Sequence, residues 1–416
     1  MEENIKNKIY NSQKWKTFLE AAKTRCSDTE DNTYKQEFVE FMRKYEEEHK
    51  NDLSESLYYY DVATSERFFE ECYLLLDSKK IKSILSKCTV MVLTANPIEK
   101  AIFHYMMFTK SHKKIIRILC GNTAYFVLKW DKYWVAHVHQ AETGAHKNLG
   151  ANTTIYEALK YFTPNVIISL GIAFGIDYLS QNIGDVIVSK RLLPYSENKR
   201  DEDKIKPDRS QDKVIDYWLQ VRLVNASGFL DGVTYGDILT GGSVMSSFEE
   251  KDKICSGYTN ADFIIGGEME GDALFQYAKI ADIPGVVIKG ICDWGVAKND
   301  IFPEEPDREE CFKNSLQAFA MVRAIEKSTP LFHDKEIFAM PKNIEYIELK
   351  HKYKLFKYSF IVSQLIALAC CFLRIHNVPI NPLLFVLFLI YYNIVIYEIG
   401  NFKRWKQYRI EKFENK

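Results

Sequence analysis

The sequence has no surplus of charge of either sign: 55 Lys and Arg stand against 56 Asp and Glu, a formal net charge of −1. Such a balance gives no overall electrostatic pull on nucleic acid, which is not expected as a partner. The nine cysteines are odd in number, and Cys26, Cys88, Cys120, Cys255, Cys292 and Cys311 form no CxxC pair. That excludes a disulfide scaffold and reads as reduced, cytosolic thiols. The opening MEENIKNKIYNSQKWK lacks an apolar h-region, so no secretory export is expected from that end. Runs long enough to cross a membrane are missing before residue 355.

What is present divides the 416 residues into more than one core can organise. Residues 1–86 are charged and aromatic, with Phe38, Phe41 and Tyr45 at helical spacing, and are expected to form a helical region that regulates the protein or binds a partner protein. From 87 to 328 the texture changes to short apolar runs: CTVMVLTA, YWVAHVHQ, PNVIISLGIA, GDVIVSKRLL, YGDILTGGSV, ADFIIGGEME and PGVVIKGICD. These read as buried strands. Helical stretches at Gly150–Phe162, Gly271–Ala281 and Glu309–Lys327 alternate with them. The fold class is therefore α/β, a mixed central sheet flanked by helices.

Residues 329–354, with Pro330 and Pro341, are expected as a linker. Two apolar runs follow, Leu355–Leu373 and Val378–Tyr397, separated by RIHNVPINP. Each is near the length of a membrane span, so 355–399 is expected to be a transmembrane helical hairpin. His351, Lys352, Lys354 and Lys357 precede it, and Lys403, Arg404, Lys406, Arg409 and Lys412 follow in a basic tail, 400–416. That charge places both ends, and the α/β domain, in the cytoplasm.

Acids fall at the ends of apolar strands, where α/β sheets place their sites. In IIGGEMEGDALFQYA, Glu268 and Glu270 follow a strand and precede a helix. In PGVVIKGICDWG, Asp293 ends another strand. Glu-Met-Glu followed by strand-Cys-Asp resembles the signature of the purine nucleoside phosphorylase and methylthioadenosine/adenosylhomocysteine nucleosidase superfamily. VMVLTANPIEKAIF, PNVIISLGIAFGID, IGDVIVS and YGDILTGGSVMSS resemble further segments of that family, in order, between Lys87 and Lys327. GICDWG also resembles the nucleosidase domains of bacterial antiviral and fungal immune proteins, some of which attack ATP or other nucleotides.

The resemblance implies cleavage of a purine N-glycosidic bond, which needs a protonated leaving base, a stabilised oxocarbenium-like sugar and a nucleophile. It implies Asp293 as the acid at the purine N7 and Glu270 on the ribose hydroxyls, with Met269 against the sugar. Glu268 would orient a polar group or act as a helix N-terminal acid. Gly171, Ala173 and Gly175 would wall the pocket, and Val244 and Met245 would meet the purine edge. An aromatic residue is frequent near Val244 in that family, and Phe174, Phe248 or Trp294 would substitute here. Thr143 and Gly144 would lie near the ribosyl group.

Glu99 corresponds to the carboxylate that activates water in the nucleosidase branch. A carboxylate there would repel phosphate, and TANPIEKAIF offers only Lys100 as a cation, so hydrolysis is expected over phosphorolysis. Without the resemblance, Glu99 is a helix-start acid after Pro97. Lys190 and Arg191 lie in a loop of mixed charge and would grip a 5′-phosphate if the substrate is a nucleotide such as ATP or AMP. His137, His139 and His146 lack metal spacing and read as structural; no metal or cofactor is expected. A homo-oligomer is expected from the resemblance. The alternatives are a phosphate-dependent phosphorylase and a non-catalytic nucleoside sensor that controls a membrane-disrupting hairpin.

Overall fold

The computed structural model describes residues 31–140, 150–176, 178, 180–195, 199–201, 204–206, 213–227, 230–242, 248–258, 263–296 and 300–339. The expected hairpin and basic tail fall outside them. Among the described residues, no helix is long and apolar enough to cross a membrane. Contacts divide the chain into two units, Met1–Met340 and Pro341–Lys416, and all described residues belong to the first.

Three helices come first: α1 (Asp31–Glu48), α2 (Lys50–Thr64) and α3 (Glu66–Cys72). The short strand β1 (Tyr73–Leu76) follows, so the expected helical region also supplies an edge strand to the sheet, paired in parallel with β3 (Ile115–Cys120). Between them lie α4 (Ile81–Leu85), β2 (Val90–Thr94) and α5 (Pro97–Ser111). The strands β4 (Thr123–Trp130) and β5 (Tyr133–His139) complete an antiparallel meander with β3. The helix α6 (Ala151–Leu159) leads to β6 (Val166–Phe174) and β7 (Val186–Pro194). A small hairpin, β8 (Lys199–Asp201) and β9 (Lys204–Lys206), and β10 (Lys213–Val214) precede α7 (Tyr217–Ser227). The remaining elements are β11 (Val233–Thr240), α8 (Phe248–Gly257), β12 (Ile264–Glu268), α9 (Gly271–Ala281), β13 (Gly285–Asp293) and α10 (Pro306–Ser328).

Eleven strands form one sheet, ordered β1-β3-β4-β5-β2-β6-β12-β11-β7-β10, with β13 between β6 and β7. The mixed α/β architecture expected from the alternating runs is thus the one observed. In β2 every residue is buried, and in β13 all but Asp293 are, the mark of strands covered on both faces. Because β13 pairs with both β6 and β7, the strands β6, β12, β11, β7 and β13 close into a ring. β12 meets β6 at one antiparallel bridge, Gly267 opposite Phe174. A Cβ on Gly267 would stand 2.1 Å from Phe174 Cζ, so glycine lets the two C-terminal strand ends converge.

The long helix α10 packs on β13, α2 and α5. The folded unit also runs past the expected boundary near Lys327: Phe332 stacks on Trp130 with centroids 3.7 Å apart, and Phe338 packs on Tyr133 and Phe332. Residues 329–339 are therefore packed chain rather than linker, because burying two phenyl rings outweighs leaving them in water.

Candidate functional site

Glu99 sits in the first turn of α5, where two local signals fix it. Pro97 takes the first helical positions, and the Asn96 side chain accepts the Glu99 N–H at 2.9 Å. Glu99 Oε2 in turn accepts from Ala95 N at 2.5 Å and Asn96 N at 3.1 Å, a reciprocal capping box. The other oxygen does something a helix start does not require. Oε1 crosses to β6, accepts the Ile172 N–H at 2.9 Å and lies 4.0 Å from Lys289 Nζ. The carboxyl is 1% exposed. Burial pushes its pKa up, while the Lys289 charge and the Ala95 and Ile172 amides pull it down and the Glu270 charge adds to the rise.

Glu268 and Glu270 flank the turn from β12 into α9. Glu268 Oε2 accepts from Glu270 N at 2.9 Å and Gly271 N at 2.8 Å, so it serves as the acid at the helix N-terminus. Burial, reinforced by the Glu270 charge, pushes Glu268 up to about 7. Glu270 is buried and accepts from Lys289 Nζ at 3.1 Å. Met269, between them, is half-buried.

Lys289 ties the two acidic segments together and was not anticipated from the sequence. It lies mid-strand in β13, fully buried, opposite Gly171 of β6. Burial works against its charge, but the Glu270, Glu99 and Glu268 carboxylates outweigh this and raise its pKa, keeping it an ammonium. The signal was available: VVIKGIC is an apolar strand interrupted by one charge, and a lysine is almost never fully buried without partners. Gly171 makes room for the cluster, since a Cβ there would stand 2.1 Å from Glu99 Oε1 and 2.9 Å from Lys289 Nζ.

The structure therefore brings Glu99, Glu268, Glu270 and Gly171 into one buried site around Lys289. Asp293 lies four residues beyond Lys289 on the same strand, roughly 13 Å along it. Its Oδ1 accepts the Gly295 N–H at 2.6 Å, and its Oδ2 lies 3.3 Å from Cys292 Sγ. It lines a cavity of about 90 Å³ with Phe38 and Met42 of α1 and Lys313, Leu316 and Gln317 of α10. Ala173 is buried at the end of β6, and Gly175 N donates to the Asp293 carbonyl at 2.7 Å.

Other expected residues fall elsewhere. Arg191 is paired with buried Asp237, and Lys190 points to solvent. Phe174 and Trp294 are not open to a stacked base: each is buried in an apolar cluster, Phe174 with Leu193, Tyr195 and Leu239, and Trp294 with Phe38 and Phe312. Aromatic burial of this size wins over exposure in a pocket. Val244, Met245, Thr143, Gly144, His146 and the Phe248 side chain lie outside the described residues. His137 and His139 both reach Thr94 Oγ1, at 2.9 and 3.0 Å, and His137 continues to His104 at 2.8 Å.

Residues 120–325, which hold Glu268, Glu270, Lys289 and Asp293 but not Glu99, match the model of the Phosphorylase superfamily. The chain is also similar, at 24% identity over 241 residues, to a death domain-containing ATP nucleosidase from Amphimedon queenslandica. That match covers 52% of this chain and 44% of the relative, so the chain spans less than half of the relative's length. Among solved structures, a 5′-methylthioadenosine/S-adenosylhomocysteine nucleosidase from Neisseria meningitidis is 19% identical, with 57% of this chain and 98% of that one covered at a TM-score of 0.43. A futalosine hydrolase from Helicobacter pylori is 14% identical, with 59% and 98% covered at a TM-score of 0.45. The resemblance to the nucleoside phosphorylase and nucleosidase superfamily is supported by the family model.

Proposed function

We propose that the chain is an N-glycosidase that hydrolyses the base–ribose bond of a purine nucleoside or nucleotide. The observation that carries this reading is the buried cluster in which one ammonium, Lys289, faces Glu99 and Glu270. Glu99 is the base that takes a proton from water. The Lys289 charge favours its ionised form against the pull of burial, and the Ala95, Asn96 and Ile172 amides fix its orientation. Glu270 accepts the ribose hydroxyls. Asp293, whose Oδ1 is occupied by Gly295, donates from Oδ2 to the departing purine. Carboxylates outnumber the lysine in the cluster, so a phosphate dianion would be repelled where water is not.

An adenine nucleotide is the substrate class we favour, in keeping with the ATP nucleosidase relative. The apolar runs 355–373 and 378–397 support a two-helix membrane tether, with the nucleosidase on the cytoplasmic side. On this reading the protein is a tethered effector that depletes a nucleotide pool, suited to antiviral defence, and it acts as a homo-oligomer. The N-terminal region offers a site for a regulatory protein.

The test is base release from ATP, AMP, adenosine and methylthioadenosine, with and without phosphate. Phosphate-independent release of adenine is expected. A requirement for phosphate makes the protein a phosphorylase, and no release from any of them makes it a sensor. Asp293→Asn should abolish release in a folded protein. A chain ending at Met340 should leave the membrane fraction; continued sedimentation would remove the tether.

A further inference from the structure

The helix α1 sits on the loop that follows the catalytic acid. Phe38 and Phe41 meet Trp294 edge-on, with centroids 6.0 and 5.8 Å away, and both also contact Tyr178. Phe38, Met42 and Trp294 are 2%, 1% and 0% exposed, in one apolar cluster with Val296, Ile301 and Phe302 of the same loop. Arg43 Nε donates to the Ile301 carbonyl at 2.9 Å, and Glu46 pairs with Arg308 of α10 at 2.8 Å. From the other side, the buried ammonium of Lys251 on α8 donates to the Trp294 carbonyl at 3.0 Å and to the Ile176 carbonyl at 2.9 Å. Trp294 is thus gripped by an N-terminal helix that the α/β core does not need for its sheet.

We propose that α1 is a positioning element for Asp293: Phe38 and Phe41 clamp Trp294, the next residue, and so fix the backbone from which Asp293 reaches the leaving purine. The inference rests on the nucleosidase reading above. Phe38 and Met42 also wall the cavity that Asp293 lines, so α1 gives that side of the acid an apolar wall. Among the described residues, the titratable groups around it include the Cys292 thiol, Lys313 on α10 and, at the Trp294 carbonyl, Lys251, while Phe38 and Met42, the lining residues from α1, carry no charge. A segment outside the α/β core thereby controls how well the base is protonated, and pulling α1 away would disarm the enzyme without touching the Lys289 cluster.

The experiment compares two leaving groups in the full-length protein. Adenine must be protonated to leave well, whereas 4-nitrophenolate from 4-nitrophenyl β-D-ribofuranoside leaves unaided. Phe38→Ala/Phe41→Ala should lower kcat for the adenine substrate by on the order of tenfold to a hundredfold, part of what a placed acid supplies. KM should change little, and the aryl riboside rate should hold. Phe41→Leu, nearly volume-conserving at a half-buried site, should show a weaker version of the same split and guards against unfolding. Equal losses on both substrates, or none on either, would overturn the inference. If the wild type ignores the aryl riboside, the pH profile of kcat for the adenine substrate is read instead: a change in its basic limb, where the acid loses its proton, supports the clamp, and a uniform fall at every pH overturns it. An Asp293→Asn protein that keeps full adenine release would instead sink the acid assignment itself.

Discussion

The ammonium of Lys289 donates to Glu270 Oε2 at 3.1 Å with both side chains shut away from solvent, 1% and 4% exposed. Neither partner can turn to water if the other is lost. Replacing Lys289 by Met would leave Glu99 and Glu270 buried without their cation, and breaking a buried pair from one side costs about 3–5 kcal/mol. Urea denaturation should show that loss, and adenine release should stop. A Lys289→Met protein as stable and active as the wild type would remove the lysine from the mechanism.

Gly171 tests the same cluster through its geometry. Any Cβ there would fall 2.1 Å from Glu99 Oε1, and the carboxylate cannot retreat without releasing the Ile172 amide. Gly171→Ala should therefore cost about 1–3 kcal/mol, the usual penalty for overpacking, with turnover falling more steeply than stability. Gly285 is the control in the same sheet: the nearest atoms to its Cβ would be side-chain carbons of Leu274 and Ala278, at 3.2 and 3.4 Å. Gly285→Ala should leave base release close to that of the wild type.

Much of this was legible in the sequence, for a physical reason. Strands buried on both faces, such as VMVLT and VIISLGIAF, must be apolar throughout, so the sheet announces itself residue by residue. Glu268 and Glu270 stood out because acids rarely close such runs. The hairpin of β3 and β4 was harder to see, since exposed residues such as Leu119 break the alternation that marks a half-buried strand. The role of Lys289 was hidden for another reason. Its meaning depends on Glu99, 190 residues away in the chain, and no local pattern encodes that meeting. The same is true of Trp294, read from the sequence as a candidate to stack on the base, and of Phe38, read as part of an amphipathic stripe, until the fold sets the two rings edge to face.

Glu99→Gln separates the roles of the two oxygens. The amide keeps one acceptor for the Ala95 and Asn96 amides but turns an NH₂ toward Ile172 N–H and Lys289, where only donors wait. Turnover should fall about 10²–10⁴-fold, the range for loss of a general base, while KM moves far less. Steady-state kinetics on the best adenine substrate checks this. A loss confined to KM would recast Glu99 as a binding residue, and an unchanged kcat would return it to helix capping alone.

The histidines give a prediction for pH. Tyr73 hydroxyl meets His104 Nδ1 at 2.6 Å, His104 Nε2 meets His137 Nδ1 at 2.8 Å, and His137 and His139 both meet the Thr94 hydroxyl. With one N–H on each neutral ring, every link in this chain has a donor and an acceptor, so the relay is satisfied without any ring carrying charge. Burial, aided by the Lys100 charge, pushes His139 down to about 4, and burial pushes His104 and His137 well below 6.5. The sign follows. Below about pH 6.5 the unfolded chain takes up protons that the folded chain refuses, so this contribution is complete above 6.5 and is lost as pH falls toward 4. Each imidazole contributes a slope approaching 1.4 kcal/mol per pH unit. His139→Gln can keep a hydrogen bond to Thr94 but cannot take the proton. The stability gap between wild type and variant, from urea titrations between about pH 7 and pH 4.5, should therefore shift in the variant's favour as pH falls. A gap that stays constant with pH would show that His139 is protonated alike in the folded and unfolded chain, and the neutral relay would not exist.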